Sequence, residues 1–173
     1  MAVSQFNLAQ YQRAERKLLL TVAEWMEGTT QERELLGRRT EDSSIEYNAD
    51  QSTTTDILGI NYTDVNKTQP QQDFDPYLIL GGSKLGAKLD DIRRRNALSE
   101  LSQFTLYIIT AYVGNSTDGY RAEKHVNCTI QYNSLGGDSN VNMPISVYFS
   151  NDVTNGTVNK LTEDFAFTPD ATV

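Results

Sequence analysis

The residues with the most reactive side chains are one histidine and one cysteine, His125 and Cys128. An imidazole beside a thiol could form a nucleophilic dyad, and both groups are common zinc ligands. Residues 124–132 alternate between polar and apolar types, which is typical of a half-buried strand. Positions three apart on a regular strand face opposite sides, so we expect Cys128 inward and His125 outward. The pattern therefore predicts neither a dyad nor a zinc site, and it predicts His125 at the surface or in an interface.

Two carboxylate pairs are the next candidates, Asp73 with Asp75 and Asp90 with Asp91. Calcium requires six to eight oxygen ligands from a defined loop, and the spacing D-x-[DN]-x-[DN]-G does not occur here. We expect the first pair to organise turns before Pro76. The second pair is separated by about 100° on a helix, so its members do not face each other. Neither pair predicts a metal site.

The sequence Gly81-Gly82-Ser83-Lys84 is the only approach to a phosphate-binding loop, but its order is Gly-Ser-Lys rather than Gly-Lys-Ser. A flexible segment leading into a helix capped by Ser83 accounts for it fully. No motif specifies a catalyst, so we predict that the protein is not an enzyme and that it uses no cofactor.

The charge balance limits the classes of partner. Fifteen Lys and Arg face 23 Asp and Glu, which gives a net charge of −8 and a pI near 4.6. Such a chain repels phosphate, which argues against nucleic-acid binding and against binding to anionic membranes. The basic run Arg93-Arg94-Arg95 follows Asp90 and Asp91 in a helical pattern, so we expect a solvated helix face. No segment approaches the roughly 18 apolar residues of a membrane span, and we expect a soluble protein made in a cytoplasm.

The elements that position these residues are mostly strands. In a chain of 173 residues we predict an N-terminal arm over 1–16, a β domain over 17–168 and a C-terminal tail over 169–173. Alternating or apolar segments predict strands at 17–26, 34–37, 43–49, 104–113, 124–132 and 143–149. Segment 104–113 is apolar on both faces and should be a central strand. Asn155-Gly156 predicts a hairpin turn, and 83–98 predicts the one helix.

Residues 50–82 have a different character. Three consecutive threonines, two prolines and several glycines predict a long irregular loop, although loops of this length are uncommon inside a compact domain. The loop also carries apolar side chains that need covering, namely Ile57, Leu58, Val65, Phe74 and Leu78. We therefore predict that it docks on a neighbouring subunit.

Several motifs in this order and spacing resemble the major tail proteins of long-tailed phages of Gram-positive bacteria. They are Thr55-Asp56-Ile57-Leu58-Gly59, Tyr62-Thr63-Asp64-Val65-Asn66-Lys67-Thr68-Gln69-Pro70, Asp75-Pro76, Gly81-Gly82-Ser83-Lys84-Leu85, Lys88-Leu89-Asp90-Asp91-Ile92, Ala122-Glu123-Lys124-His125 and Ser134-Leu135-Gly136-Gly137-Asp138. The resemblance covers residues 44–167, and the motifs are structural rather than catalytic.

The resemblance implies a mainly β fold, a two-sheet antiparallel β-sandwich or barrel with one flanking helix and a long inserted loop. It also implies hexameric rings that stack into a tail tube, through which genomic DNA passes. The implied partners are copies of the same chain, other tail proteins at the tube ends and a tape measure protein in the lumen. DNA would pass without specific binding, and the protein would reside in the virion tail after synthesis in the bacterial host.

Two alternatives to a phage tail tube remain at this stage. The first is the tube subunit of a contractile injection system or of a phage-derived bacteriocin, which shares the fold. The second is a β-sandwich module that binds carbohydrate, a class that usually displays aromatic platforms. Most tyrosines here fall in strand patterns, with Tyr62, Tyr77 and Tyr120 as exceptions.

Overall fold

The computed structural model describes residues 6–171. Within them the chain forms eleven strands, one α-helix and two short 3₁₀ helices (Arg16–Leu18 and Leu98–Ser102). The strands are β1 (Leu19–Glu27), β2 (Thr30–Leu35), β3 (Ile45–Glu46), β4 (Asp50–Thr55), β5 (Asn61–Lys67), β6 (Gln71–Phe74), β7 (Phe104–Asn115), β8 (Gly119–Tyr132), β9 (Ile145–Tyr148), β10 (Val153–Val158) and β11 (Phe167–Pro169), and the helix is α1 (Lys84–Arg95).

Nine of these strands form two layers that share β8. The first part of β8 pairs with β7 and β10, and its last residues, 129–132, pair with β9. The first layer therefore runs β2-β1-β7-β8-β10-β11 and the second runs β8-β9-β6-β3, with every pair antiparallel. A hydrogen bond from Thr21 Oγ1 to Gln72 Oε1 (2.7 Å) joins β1 of the first layer to β6 of the second. The predicted mainly antiparallel β fold with one helix is confirmed, and its two layers agree with a β-sandwich.

The strand β7 supplies side chains to two hydrophobic cores. Phe104, Leu106 and Ile108 belong to the larger core, which also takes in α1 and the inner side of the second layer. Tyr107 and Ile109 belong to a smaller core on the other face, beneath the segment that carries Phe165. Because both faces of β7 are covered, the prediction of a central strand is confirmed.

Helix α1 begins after its predicted cap, Ser83, but it ends at Arg95, before the predicted end at residue 98. Ser83 Oγ accepts a hydrogen bond from the backbone N–H of Gly86 (3.1 Å), which is an N-cap contact. Asn96 adopts the left-handed conformation (φ 55°) and stops the helix after Arg95. The predicted apolar side is buried in the larger core, while the arginines of the last turn pair with Asp90 and Asp91.

A β-bulge corrects the prediction for His125. Cys128 lies opposite Phe104 and His125 lies opposite Leu106, so β8 carries one residue more than β7 in this interval. Asn127, inside the bulge, has a φ of 56°. The extra residue reverses the alternation, and His125 and Cys128 are both buried, with His125 only 4% exposed. The prediction of a surface histidine is therefore wrong.

The prediction of a turn at Asn155-Gly156 is also wrong, because both residues lie inside β10. Gly156 pairs with Ala122 of β8 on one side and with Pro169 of β11 on the other. A Cβ atom at Gly156 would lie 2.3 Å from the carbonyl oxygen of Thr168 and 2.7 Å from the ring of Phe167. Gly156 allows β10 and β11 to approach each other closely. The chain reverses direction between these two strands rather than at Asn155-Gly156.

The remaining boundaries differ from the predictions mainly in length. The strand predicted at 43–49 is reduced to the two residues of β3, and the return strand predicted at 34–37 is β2, which begins earlier. The described part of the N-terminal arm is attached to β7, because Asn7 Nδ2 donates to the carbonyl oxygens of Ala111 (3.2 Å) and Gly114 (2.6 Å). Residues 1–5 and 172–173, at the ends of the predicted arm and tail, lie outside the described residues.

Candidate functional site

The segment predicted as an irregular loop, 50–82, contains three strands. Its first part is a β-hairpin formed by β4 and β5, and β6 belongs to the second layer of the sandwich. The threonine run suits this outcome, because β-branched residues favour extended backbone. The prediction that 50–82 lacks regular structure is therefore wrong, and the hairpin, residues 50–67, replaces the loop as the candidate interface.

The hairpin stands apart from the rest of the molecule. Its two strands pair with each other and with no other strand of the described chain. Every residue of β4 and of β5 is exposed. Seven residues of extended strand span about 20 Å, so the hairpin reaches well beyond its base. An arm of this length that no other part of the described chain covers is available for contact with another molecule.

The base of the hairpin is tied to the sandwich by backbone and side-chain contacts. The N–H of Gln69 donates to the carbonyl oxygen of Tyr47 (2.8 Å), and Asn48 Nδ2 donates to the carbonyl oxygen of Gln69 (3.2 Å). These contacts lie between β3 and β6, next to Gln71. The hairpin therefore leaves the second layer at the N-terminal end of β6.

The tip of the hairpin is organised by Asp56. Its Oδ1 accepts hydrogen bonds from the N–H groups of Leu58 (2.8 Å) and Ile60 (2.9 Å), and Gly59 takes a positive φ of 77° in the same turn. These backbone hydrogen bonds, led by that of Ile60, hold the pKa of Asp56 below its usual range. The turn presents Ile57, which is fully exposed, next to Leu58, which is 78% exposed.

The two faces of the hairpin carry polar pairs as well as apolar side chains. Thr53 and Thr63 share a hydrogen bond of 3.1 Å across the strands. Exposed large apolar residues continue from the tip along β5 as Ile60, Tyr62 and Val65. Ile60 and Tyr62 are not among the predicted interface residues, although their spacing of two residues places them on one side of an extended segment.

The five predicted interface residues therefore separate into three groups. Ile57, Leu58 and Val65 lie on the exposed hairpin. Phe74 is 2% exposed and belongs to the larger core, so its own chain covers it and the prediction for this residue is wrong. Leu78 is half-buried and lies opposite Asn142 in an isolated bridge. The hairpin and the Leu78 region are at different ends of β6.

The histidine and cysteine do not form a reactive pair. Nδ1 of His125 lies 3.0 Å from the carbonyl oxygen of Ser150, and its ring packs edge-on against Phe149. The thiol of Cys128 contacts the backbone oxygen of His125 rather than its ring, and burial raises the pKa of this thiol. A neutral thiol is a poor nucleophile.

Within residues 6–171, no group of three or more His, Cys, Asp or Glu is arranged to hold a metal ion. None of the helices described there is long and apolar enough to cross a membrane.

No protein-family model and no curated protein matches this sequence. Among solved structures, the chain is similar to the cap of the anti-feeding prophage, its tube-terminating cap, with 14% identity and a TM-score of 0.49 over 91% of this chain and 99% of that one. It is also similar to a chain of the anti-feeding prophage baseplate, with 12% identity and a TM-score of 0.44 over 89% of this chain and 100% of that one. Both likenesses are too distant to assign a function to this chain.

Proposed function

We propose that this protein is a structural subunit of a phage-type tail tube. Copies assemble into hexameric rings, and the rings stack into a tube that conducts genomic DNA during ejection. The observation that carries the proposal is the uncovered hairpin, residues 50–67, with its exposed apolar tip. The sequence motifs that resemble major tail proteins include this hairpin, which supports the same assignment.

The energetics of the hairpin favour assembly. An isolated two-stranded sheet is marginally stable at best in water. Leaving apolar surface in water costs about 25 cal/mol per Å², so Ile57 and Leu58 each gain by being covered. Docking on a neighbour stabilises the hairpin as well as burying its tip. A protein that stayed monomeric would keep a marginally stable hairpin and an apolar tip exposed to water.

The charge of the subunit suits the proposed cargo. Duplex DNA carries one phosphate per about 1.7 Å of helix axis, and a basic lumen would retain it. The net charge of −8 acts in the opposite direction. On this proposal the protein resides in the virion tail, is made in the host cytoplasm, and contacts other tail proteins at the tube ends and a tape measure protein in the lumen.

A carbohydrate-binding module is less well supported. Of the three tyrosines considered as platform residues, Tyr77 is buried and donates its hydroxyl hydrogen to Glu34 (3.0 Å). Tyr120 is half-buried and packs against the smaller core. Tyr62 is exposed on the hairpin, without the other two beside it.

Electron microscopy of the purified protein tests the proposal. At high protein concentration we expect six-fold rings or tubes. The double variant Ile57→Ser, Leu58→Ser should abolish them while leaving the circular dichroism spectrum of the β domain unchanged. The matched control is Met26→Ser, Leu98→Ser, which removes two exposed apolar side chains elsewhere and should still assemble. A wild-type protein that stays monomeric at millimolar concentration would overturn the proposal.

Hydrogen exchange provides a second measurement of the same contact. The amides of the hairpin should exchange faster in the monomer than in the tube, because only the tube covers them. Equally slow exchange in both states would show that the hairpin is stable without a neighbour.

A further inference from the structure

A hollow lies at the end of β6 opposite to the hairpin. We call it the distal hollow and define it by Leu35, Arg38, Leu78, Leu80 and Lys84. Its volume is about 290 Å³. Leu35 and Leu78 are half-buried on its walls, and Leu80 is exposed. The rest of the lining is polar and includes Glu34, Ser83 and Glu163, so the leucines form an apolar strip within a mixed surface. An exposed apolar strip with a polar surround is typical of a protein-protein contact.

The loops next to the distal hollow carry further exposed apolar residues. Ile79, Leu135 and Val141 are all exposed. The N–H of Ile79 donates to the carbonyl oxygen of Val141 (3.0 Å), and Gly136 pairs with Asn142, so backbone contacts hold these loops together. The apolar surface therefore extends beyond the hollow itself.

The hairpin and the distal hollow lie at opposite ends of the second layer. The hairpin joins β6 just before Gln71, whereas the hollow is built by residues 77–84, which follow Phe74. Ile57 is fully exposed, so the hairpin tip does not fill the hollow of its own chain. Two different surfaces on one molecule make a heterologous contact, which closes into a ring or continues as an open polymer.

The two surfaces also differ in charge. The hairpin contains Asp50, Asp56 and Asp64 against a single cation, Lys67. The lining of the hollow holds three cations, Arg33, Arg38 and Lys84, against two carboxylates, Glu34 and Glu163, in a chain whose net charge is −8. Arg38 and Lys84 are exposed at its rim. The ion pairs of Arg38 and Lys84 lie at the surface, where such pairs contribute little to the stability of the fold.

The partners of these two cations are surface carboxylates. Arg38 lies 3.0 Å from Glu163 Oε1, and Lys84 pairs with Glu32. Both cationic side chains remain more than half exposed in these pairs, so each can also face a carboxylate from a second molecule.

We propose that the hairpin tip of one copy docks in the distal hollow of a second copy. Ile57 and Leu58 contact Leu78 and Leu80 of that copy, and Asp56 faces its basic rim. This inference rests on the proposed tube function and adds the acceptor surface for the hairpin. It makes the contact heterologous, as a growing assembly requires.

Thiol-specific cross-linking tests the contact directly. The protein has one cysteine, Cys128, which is buried and should not react. Leu58→Cys protein is mixed with Leu80→Cys protein under assembly conditions and treated with a short bismaleimide. We expect a cross-linked dimer from the mixture and none from either variant alone. The double variant should give a ladder of oligomers.

The control replaces the acceptor by Leu98→Cys, which is exposed beyond the other end of α1. Tubes that cross-link through Leu98→Cys but not through Leu80→Cys would overturn the acceptor site and leave the tube function standing. A double variant that stops at a dimer would show reciprocal pairing and overturn the heterologous contact. A protein that forms neither tubes nor cross-links would overturn both proposals.

A charge-reversal pair tests the electrostatic part. Arg38→Glu should raise the protein concentration needed for assembly by roughly tenfold, because it places a carboxylate opposite Asp56. Arg39→Glu is the matched control, since it makes the same charge change at the next position, outside the lining of the hollow. Equal effects of the two substitutions would show that only the net charge matters and would remove Arg38 from the contact.

Discussion

Asp56 illustrates how a single exposed side chain can shape a binding element. One carboxylate oxygen accepts from two backbone N–H groups, those of Leu58 and Ile60, and thereby closes the turn. In such a turn the aspartate side chain accepts hydrogen bonds that a backbone carbonyl would otherwise accept. The apolar tip is therefore ordered in the free chain, and this order would lower the entropy cost of the proposed docking.

The first prediction concerns this turn. Asp56→Ala should leave the melting temperature of the sandwich unchanged, because the hairpin lies outside both cores. It should speed hydrogen exchange at Leu58 and Ile60 and raise the concentration needed for assembly. Asp56→Asn retains an acceptor oxygen and should change both quantities less. Unchanged exchange at the two amides in Asp56→Ala would show that the turn forms without the carboxylate.

Glu34 differs from the exposed Asp56, because its carboxylate is buried between β2 and α1. Its Oε1 accepts from the hydroxyls of Tyr77 (3.0 Å) and Ser83 (2.9 Å), and its Oε2 accepts from the N–H of Leu85 (2.9 Å). Burial, together with the negative charge of Glu34, raises the pKa of Tyr77, so its hydroxyl remains a hydrogen-bond donor well into the alkaline range. The carboxylate also lies at the N-terminus of α1, where the helix dipole favours negative charge.

The second prediction follows from these three contacts. Glu34→Ala should lower the free energy of unfolding by about 3 kcal/mol, because it leaves buried donors without acceptors. Glu34→Gln should lose less, since one amide oxygen still accepts although the nitrogen cannot. Urea denaturation measures both variants. Glu32→Ala, which removes only the surface pair with Lys84, should cost less than about 1 kcal/mol, and an equal loss would contradict the role of burial.

At the scale of elements, β10 and β11 approach each other closely at Gly156. The ring of Phe167 and the carbonyl oxygen of Thr168 occupy the space that a side chain at Gly156 would need. The third prediction is that Gly156→Ala lowers the free energy of unfolding by about 1–3 kcal/mol, because β10 and β11 must separate to admit the methyl group. Gly81→Ala is the matched control, since a Cβ atom added there would have no other atom within 4 Å and the substitution should be nearly neutral.

Chemical denaturation of the two glycine variants checks this expectation. A Gly156→Ala protein as stable as the wild type would mean that β11 can shift without losing its contacts. The result bears on the smaller core as well, because Phe167 also packs against Tyr107 (ring centroids 5.6 Å apart).

The hairpin is the element on which the proposed assembly depends. Its strands contain Thr, Tyr and Val, which have good strand propensity, yet nothing within residues 6–171 covers it. Proteins usually protect exposed strand edges, because unpaired backbone groups promote association. In this protein the uncovered edges and the apolar tip occur together, which is consistent with an element used for assembly.

At the scale of the whole molecule, the charge determines how the protein meets DNA. The fourth prediction is that the protein has no measurable affinity for duplex DNA at about 0.15 M salt, where charges are screened beyond about 8 Å. The excess of eight acidic groups repels the phosphates, and the three arginines of α1 are paired with Asp90 and Asp91. Fluorescence anisotropy of a labelled duplex measures this, and a salt-sensitive micromolar complex would contradict it.

The sequence by itself determined the parts of the fold that depend on neighbouring residues. Ser83 and the spacing of Leu85, Leu89 and Ile92 predict α1, because the contacts of a helix lie within a few positions of each other. The apolar run of β7 predicts a strand with both faces covered, whatever covers them. The exposed apolar pair at the hairpin tip was also identified from sequence, since no local pattern offered Ile57 and Leu58 a partner.

Only the tertiary structure decided the features that depend on pairing between distant strands. The bulge that turns His125 inward arises from the register of β8 against β7. Phe74 is the one apolar residue of β6, which offers no alternating pattern, but β6 pairs with β9, more than 70 positions further along the chain, and places the ring in the larger core. Gly156 leaves space for β11, a strand that follows it in the sequence. A local window contains none of these partners, so long-range pairing decided which side chains the protein buries and which it leaves exposed.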